Sequence, residues 1–435
     1  MRRTFLTLAV LYGMMLVGVF YWQLCADLAH HPANPRYYLV FQRERGSILD
    51  RQGRVLAHSA SFEDGYQRRY AAESLSPVVG YFHERYGLTG LERLYQGELS
   101  AGRSLLTTLD LELQKKAAEL LQGSAGAVVA LRPESGEVLA LVSLPCLDGN
   151  AMDENWPDYL ADLRSPFLNR ATHGLYPPGS VVKPIVYAAA VAEGAAQAGE
   201  TWLDQGLIQL PGGAVRNYGA KAHGEITLDQ ALAYSSNVVF AELAAELGPT
   251  VLDYFRRFGL GEPPDFELGG HQGSVPEATL STYHAAQLGI GQGELLVTPL
   301  QMAQVAAALA NGGVLMRPFV VQEVRGGWRL RQITRPTVLG ELVPWTVAEQ
   351  VKRAMVLAAQ EGTARTKFSE QFSYAGKTGT AQLGSVPDHS WFIGFAPPQA
   401  PQIAVAVVVE HGGTGAEAAA PIGVELMFQA VQMSE

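Results

Sequence analysis

Cysteine is scarce in this chain of 435 residues, which carries only Cys25 and Cys146. Two thiols cannot build the multi-bridge framework of a small secreted domain, and no paired Cys or Cys/His spacing marks a zinc site. Cys25 follows Trp22-Gln23-Leu24, a poor match to the small-residue signal that precedes a lipidated cysteine. Positive charge is also short: 32 Lys+Arg against 42 Asp+Glu gives a formal net charge of −10, so nothing favours wrapping a nucleic acid. Repeats of fixed period are absent, which excludes solenoids and propellers. With 17% charged and 48% hydrophobic residues, the chain has the means to bury a core and is not a disordered polymer. A single core rarely grows past ~250–300 residues, so one large domain with a smaller companion is expected.

The longest hydrophobic run lies at the start. From Thr4 to Ala26 no residue is charged, and at ~1.5 Å rise per residue this stretch spans the roughly 30 Å of a bilayer core. Arg2 and Arg3 precede it and Asp27 follows, which orients the short N-terminus to the cytoplasm and the remainder outside. The apolar stretch exceeds the ~7–15 residues of a signal peptide and no A-x-A site follows, so an uncleaved anchor is expected. The expected layout is a cytoplasmic tail at 1–3, a transmembrane helix at 4–26, a small N-terminal module at 27–104 and a main domain at 105–435, giving a single-pass cell-membrane protein with its main domain extracytoplasmic.

Beyond the anchor, Tyr37-Tyr38-Leu39-Val40 suggests the start of a strand, and the segment from Arg43 to Gly53 alternates charges around glycine turns. Apolar residues at helical spacing from Leu109 to Leu121, stopped by Gly123, predict a helix opening the main domain. Ala127–Leu131 and Val138–Val142 flank Pro133-Glu134-Ser135-Gly136 as one hairpin; Ser390–Phe395 and Ile403–Val409 flank Pro397-Pro398 as another. Between them the pattern is mostly helical, with capping boxes expected at Thr227–Gln230, Thr298–Gln301 and Thr346–Glu349. Strands drawn from both ends of a helical block predict an α/β (α+β) fold, a central antiparallel sheet flanked by helices.

Three short motifs carry the chemistry. Tyr176-Pro177-Pro178-Gly179-Ser180-Val181-Val182-Lys183 places a serine at a helix start with a lysine three residues on, on the same face and within reach. A lysine among apolar neighbours loses its proton more easily, and the neutral amine can accept the serine proton. The pair alone is unspecific, since surface helices carry Ser and Lys at this spacing routinely. Ser235-Ser236-Asn237 alone reads as a helix-capping junction, and Lys377-Thr378-Gly379-Thr380 alone as an edge-strand lysine with a turn glycine; the ordered set of three overturns these bland readings.

In this order the motifs resemble those of the penicillin-binding transpeptidase and serine β-lactamase superfamily. Leu168–Thr172, Gly289–Gly293 and Trp391–Pro397 resemble segments of the transpeptidase domain of class B penicillin-binding proteins. Arg45-Gly46-Ser47-Ile48 with Asp50–Gly53 resembles that class's juxtamembrane motif, and Tyr86–Glu92 the segment leading into its catalytic domain. The short N-terminal module is similar to the compact actinobacterial branch of the class, the penicillin-binding protein A type. The resemblance implies a peptidoglycan D,D-transpeptidase that is acylated by β-lactams. Ser180 would be the nucleophile, Lys183 its base, Ser235 a proton relay and Asn237 an orienting group. Lys377, Thr378 and Thr380 would hold the substrate carboxylate, with Gly379 allowing close backbone approach, and the backbone N–H groups of Ser180 and Thr380 would form the oxyanion hole. It implies neither a metal nor an organic cofactor; its partners would be stem peptides, the membrane and a glycan polymerase of the shape, elongation, division and sporulation (SEDS) family.

Two other readings share these residues. A D,D-carboxypeptidase or β-lactamase-like hydrolase would deacylate with water, and a noncatalytic scaffold or β-lactam sensor would use the pocket only for interaction. Gly289-Ile290-Gly291-Gln292-Gly293 lacks the βαβ setting of a dinucleotide site and reads as turns near the active site. His389, without a matched acid, reads as a structural histidine.

Overall fold

The uncharged N-terminal run forms a helix from Arg2 to Phe20 with no buried residue. A computed structural model describes residues 2–22, 43–62, 65–197, 199–277, 281–326, 332–384 and 386–433. The helix begins before the expected start at Thr4; Gln23–Ala26, Cys25 and the expected strand at Tyr37–Val40 lie outside the described residues. Its length and mean hydropathy of 1.7 suit a membrane span.

Both predicted hairpins form, and they join into one sheet. Its five strands run in the order Ala375–Ala381, His389–Ala396, Ile403–Val409, Gly126–Leu131 and Val138–Leu144, antiparallel throughout. The Ile403–Val409 strand is buried on both faces, which is why its sequence is apolar without alternation. Ala404, Ala406 and Val408 face the core that includes Met302, Val305 and Ala306. Val405, Val407 and Val409 face Leu113, Ala117, Val424 and Met427. The sheet is thus covered on one side by the helix Pro299–Ala310, buried at every position, and on the other by Leu111–Leu121 and Ala419–Gln432.

Local capping decides where several helices start. Asp110 accepts from the N–H groups of Glu112 and Leu113, so the first predicted helix begins at Leu111 rather than Leu109. The reciprocal boxes at Thr227/Gln230 and Thr298/Gln301 are both present. The third expected box is not: the helix Trp345–Gln360 starts directly after Pro344, so Thr346 is already inside the first turn. Glu349 instead pairs with Lys352.

A second sheet binds the N-terminal module to the larger unit. Its order is Gln332–Ile333, Val321–Arg325, Ser104–Thr107, Ile48–Leu49, Val55–Phe62, Gly65–Tyr70. A cut between residues 104 and 105 would fall inside one of these strands. The reason is long-range pairing: Ser104–Thr107 lies parallel to Ile48–Leu49 and antiparallel to Val321–Arg325, more than two hundred residues on. Beside this sheet the motif residue Arg45 donates to the buried Glu92 at 2.8 Å, and Arg68 reaches the other carboxylate oxygen at 2.6 Å. Burial of such a cluster is tolerable only with its partners in place.

Candidate active site

The Pro/Gly turn before Ser180 becomes a 3₁₀ turn, Gly179–Val182, which runs into the helix Lys183–Ala192. Val181, Val182 and Ile185 anchor this start in the core, leaving Ser180 partly exposed at the cleft. The turn is held from three directions. Gly179 N–H donates to Gly291 O at 2.9 Å, Trp391 Nε1 donates to Pro177 O at 3.0 Å, and the edge strand Ala375–Ala381 packs alongside. The Gly289–Gly293 segment is therefore a backbone brace: a Cβ on Gly291 would sit 1.9 Å from Gly179 O.

Ser235 lies between the helices Leu228–Ala233 and Asn237–Leu247, at φ 62°. That left-handed backbone is strained for a residue with a Cβ, and such strain concentrates at functional sites. It turns the Ser235 hydroxyl and carbonyl toward two buried lysines. Lys183 Nζ donates to Ser235 O at 2.7 Å, Asn237 Oδ1 at 2.7 Å and Ser235 Oγ at 3.3 Å. Lys377 Nζ donates to Ser235 Oγ at 2.9 Å and Thr378 O at 2.8 Å.

Both lysines are 0% exposed, and neither has a carboxylate partner within ion-pair distance among the described residues. Burial, reinforced by the neighbouring Lys377 charge, holds Lys183 well below the usual lysine range despite the opposing pull of Asp204. Burial pushes Lys377 down to about 7. Two ammonium groups sharing one hydroxyl cannot both stay protonated cheaply, so the site favours a neutral amine at neutral pH. Lys183 makes no hydrogen bond with Ser180 Oγ here; the two are one helical turn apart, and Lys183 is held on the Ser235 and Asn237 side.

The third motif lies on the sheet's edge strand. Thr378, Gly379 and Thr380 line the same cleft as Ser180, Ser235 and Asn237, a space of about 880 Å³. Thr378 Oγ1 donates to Thr363 Oγ1 at 2.7 Å, and Thr380 Oγ1 accepts from Gly415 N–H at 3.3 Å. Gly379 has a packing role of its own within the protein. A Cβ there would meet Pro178 O at 2.9 Å and Val181 Cγ1 at 3.0 Å, so its bare Cα lets the strand seat against the nucleophile turn.

All eight expected site residues thus converge on one cleft or its buried floor. His389 is absent from the cleft lining: its Nδ1 accepts from His411 N–H at 3.2 Å and its ring sits edge-on to Tyr176. Sequence patterning missed several neighbours. Tyr218, Lys221, His223 and Glu361 line the cleft but sit in short turns and connections without a motif of their own. Arg170 and Tyr176 both donate to Glu410, at 2.8 and 2.7 Å, tying the segment before the nucleophile to the end of a sheet strand. Burial works to raise the Glu410 carboxyl, but hydrogen bonds from Tyr176 and Arg170 outweigh it and hold the group below its ordinary range.

Residues 126–428 match the penicillin binding protein transpeptidase domain and residues 45–122 the penicillin binding protein A dimerisation domain. The chain is 34% identical to the peptidoglycan D,D-transpeptidase PbpA of Mycobacterium tuberculosis, covering 99% of each chain. It is 33% identical to the peptidoglycan D,D-transpeptidase MrdA of Haemophilus influenzae, over 82% of this chain and 61% of that one. Among solved structures, the penicillin G acyl-enzyme complex of penicillin-binding protein A from M. tuberculosis superposes with a TM-score of 0.82 at 32% identity, covering 90% of this chain and all (100%) of that one. The imipenem acyl-enzyme of the same protein gives 0.83. With these matches added to a cleft lined by Ser180, Ser235 and Thr380, the chain belongs to the penicillin-binding protein transpeptidase family.

Proposed function

We propose that this protein is a membrane-anchored peptidoglycan D,D-transpeptidase that works through an acyl-enzyme on Ser180 and is inhibited by β-lactams. The observation that carries the reading is the Ser235 hydroxyl, hydrogen-bonded by two buried lysines at the edge of the cleft that holds Ser180. Ser180 Oγ attacks the carbonyl of the penultimate D-alanine, and its proton passes to the neutral Lys183 amine. As the C–N bond to the terminal D-alanine breaks, Ser235 relays a proton to the departing amine. An amine of a neighbouring stem peptide then attacks the ester, forms the cross-link and restores the serine.

Asn237 orients Lys183 and the substrate amide. Lys377, Thr378 and Thr380 grip the substrate carboxylate, where fixed donors in a buried setting outperform solvent. Gly379 keeps this strand close to the nucleophile. Backbone N–H groups of Ser180 and Thr380 form the oxyanion hole; the close packing of the Gly179 turn on the edge strand supports this, since a Cβ on Gly179 would meet Thr380 O at 2.6 Å. β-Lactams enter the same path and stall at the ester.

In this reading the helix Arg2–Phe20 is the membrane anchor, followed by a small module and a catalytic domain joined through the strand Ser104–Thr107, with the bulk outside the cell. Charge flanking the apolar helix supports the orientation. A SEDS-family polymerase supplies the glycan strands, a partnership supported by family resemblance alone. The test is cross-linking of lipid-linked stem peptides by the full chain in detergent. Wild type should form dimeric peptide that penicillin blocks, and Ser180→Ala should form none. Release of D-alanine without any dimer would replace transpeptidation with hydrolysis.

A further inference from the structure

Behind Asn237 lies a buried carboxylate–amide pair that the three motifs do not include. Asp204, 0% exposed, ends the strand Thr201–Asp204. Its Oδ1 accepts from Gly206 N–H and from Asn217 Nδ2, and its Oδ2 also accepts from Asn217 Nδ2, each at 2.8 Å. Asn217 Nδ2 further donates to Lys221 O at 2.8 Å. An ionised carboxylate only accepts, so it dictates which end of the Asn217 amide faces it. The other end, Oδ1, then accepts from the backbone N–H of Asn237 at 2.7 Å and of Val238 at 3.1 Å.

Those are the first two free N–H groups of the helix Asn237–Leu247, while Ser236 Oγ caps Val239 N–H at 3.2 Å. Asn237 Nδ2 donates to Arg216 O at 2.8 Å, which leaves Asn237 Oδ1 aimed at Lys183 Nζ. A continuous chain of polar contacts therefore runs from Asp204 through Asn217 and Asn237 to Lys183. We propose that Asp204 and Asn217 are a positioning pair for acylation: Asn217 fixes the helix start that presents Asn237 to Lys183, and Asp204 fixes Asn217 and supplies the negative charge that balances Lys183 once it has taken the serine proton.

This rests on Lys183 being the base. The charged groups around that amine are few. Lys377 lies on the edge strand Ala375–Ala381 and Asp204 at the end of the strand Thr201–Asp204; both act on its proton affinity, in opposing directions. His223, whose ring stacks on Tyr234, is held below its ordinary range by burial, and with Lys221 it lies toward the cleft. On the helices packed nearby, Asp229 and Arg353 pair with each other at 2.8 Å, and Tyr187 donates to Asp229.

The experiment measures the second-order rate of acylation by a fluorescent penicillin from pH 5.5 to 9.5, using the full chain in detergent. Asn217→Ala should acylate at least thirtyfold more slowly. Asp204→Asn should be at least tenfold slower, with the acid limb of the profile moved to lower pH by half a unit or more, because an uncharged neighbour no longer helps Lys183 hold a proton. The double variant should be no slower than the slower single one, since both residues act through one chain of contacts. A purely structural role would lower the rate without moving the limb, and that result, or wild-type rates in either variant, overturns the proposal. Should the variants lose their circular dichroism signal, amide hydrogen exchange of the wild type decides: Asn237 and Val238 should exchange as slowly as the helix interior, and exchange within seconds overturns it. Labelling of Ser180→Ala would instead refute the underlying assignment of the nucleophile.

Discussion

Lys377 is expected to weaken the fold it belongs to, by an amount that depends on pH. The residue is 0% exposed, and among the described residues its amine has two acceptors, both uncharged, Ser235 Oγ and Thr378 O. Burial lowers it from 10.5 to about 7; at ~1.4 kcal/mol per unit, keeping the proton in the folded state costs about 5 kcal/mol. Since the folded value is the lower one, the unfolded chain binds more protons between about pH 7 and 10.5. Stability therefore rises with pH across that window by up to ~1.4 kcal/mol per unit, and the cost is fully present below it. Lys377→Met removes the cost but forfeits two hydrogen bonds, an offset of about 1–3 kcal/mol. The variant should be about 2–4 kcal/mol more stable than wild type at pH 6, with the gap closing or reversing by pH 10. Losing this neighbour also lets Lys183 keep its proton more readily, which acts in the same direction at low pH. Urea unfolding of both full-length proteins in detergent, followed by tryptophan fluorescence at pH 6, 8 and 10, reads the difference directly. A gap that stays constant over this range, or a variant less stable at pH 6, would show that Lys377 keeps an ordinary lysine proton and would refute the reasoning.

Ser235→Ala removes the hydroxyl that both lysines share, and penicillin acylation should slow by about 10–100-fold, the equivalent of roughly 1.5–3 kcal/mol, with the melting profile little changed; stopped-flow labelling measures it. Gly379→Ala pushes a methyl against Pro178 O and Val181, so thermal unfolding should show a loss of about 1–3 kcal/mol, together with slower acylation as the edge strand moves off the nucleophile turn. Arg170→Ala strands the Glu410 carboxylate with Tyr176 alone; a loss of about 3 kcal/mol is expected in urea unfolding at pH 7.

Much of the main sheet was legible because its strands are buried on both faces. Ala127–Leu131 and Ile403–Val409 are uninterrupted apolar runs beside turn residues, a pattern that survives without tertiary knowledge. The second sheet was not legible. Its Ser104–Thr107 strand pairs with Ile48–Leu49 and Val321–Arg325, and no local periodicity announces partners so far apart. The motif residues could be found since Ser180 and Lys183 are one helical turn apart and the other two motifs are contiguous. Asp204 and Asn217 could not, because each is an ordinary polar residue in a short hairpin region until the fold carries Asn217 to the start of the Asn237 helix. Gly379 shows the intermediate case: its need for a bare Cα was readable, but the Pro178–Val181 turn that imposes it was not. The third capping box failed for a local reason, since Pro344 starts the helix before Thr346 can cap it.

The most direct test of the account is to locate the acyl group. Full-length wild type and Ser180→Ala are treated with penicillin, measured by intact mass and mapped by proteolysis. The account predicts a single stoichiometric adduct on the peptide bearing Ser180 and none on the variant. An adduct on any other residue, or equal labelling of Ser180→Ala, would contradict it.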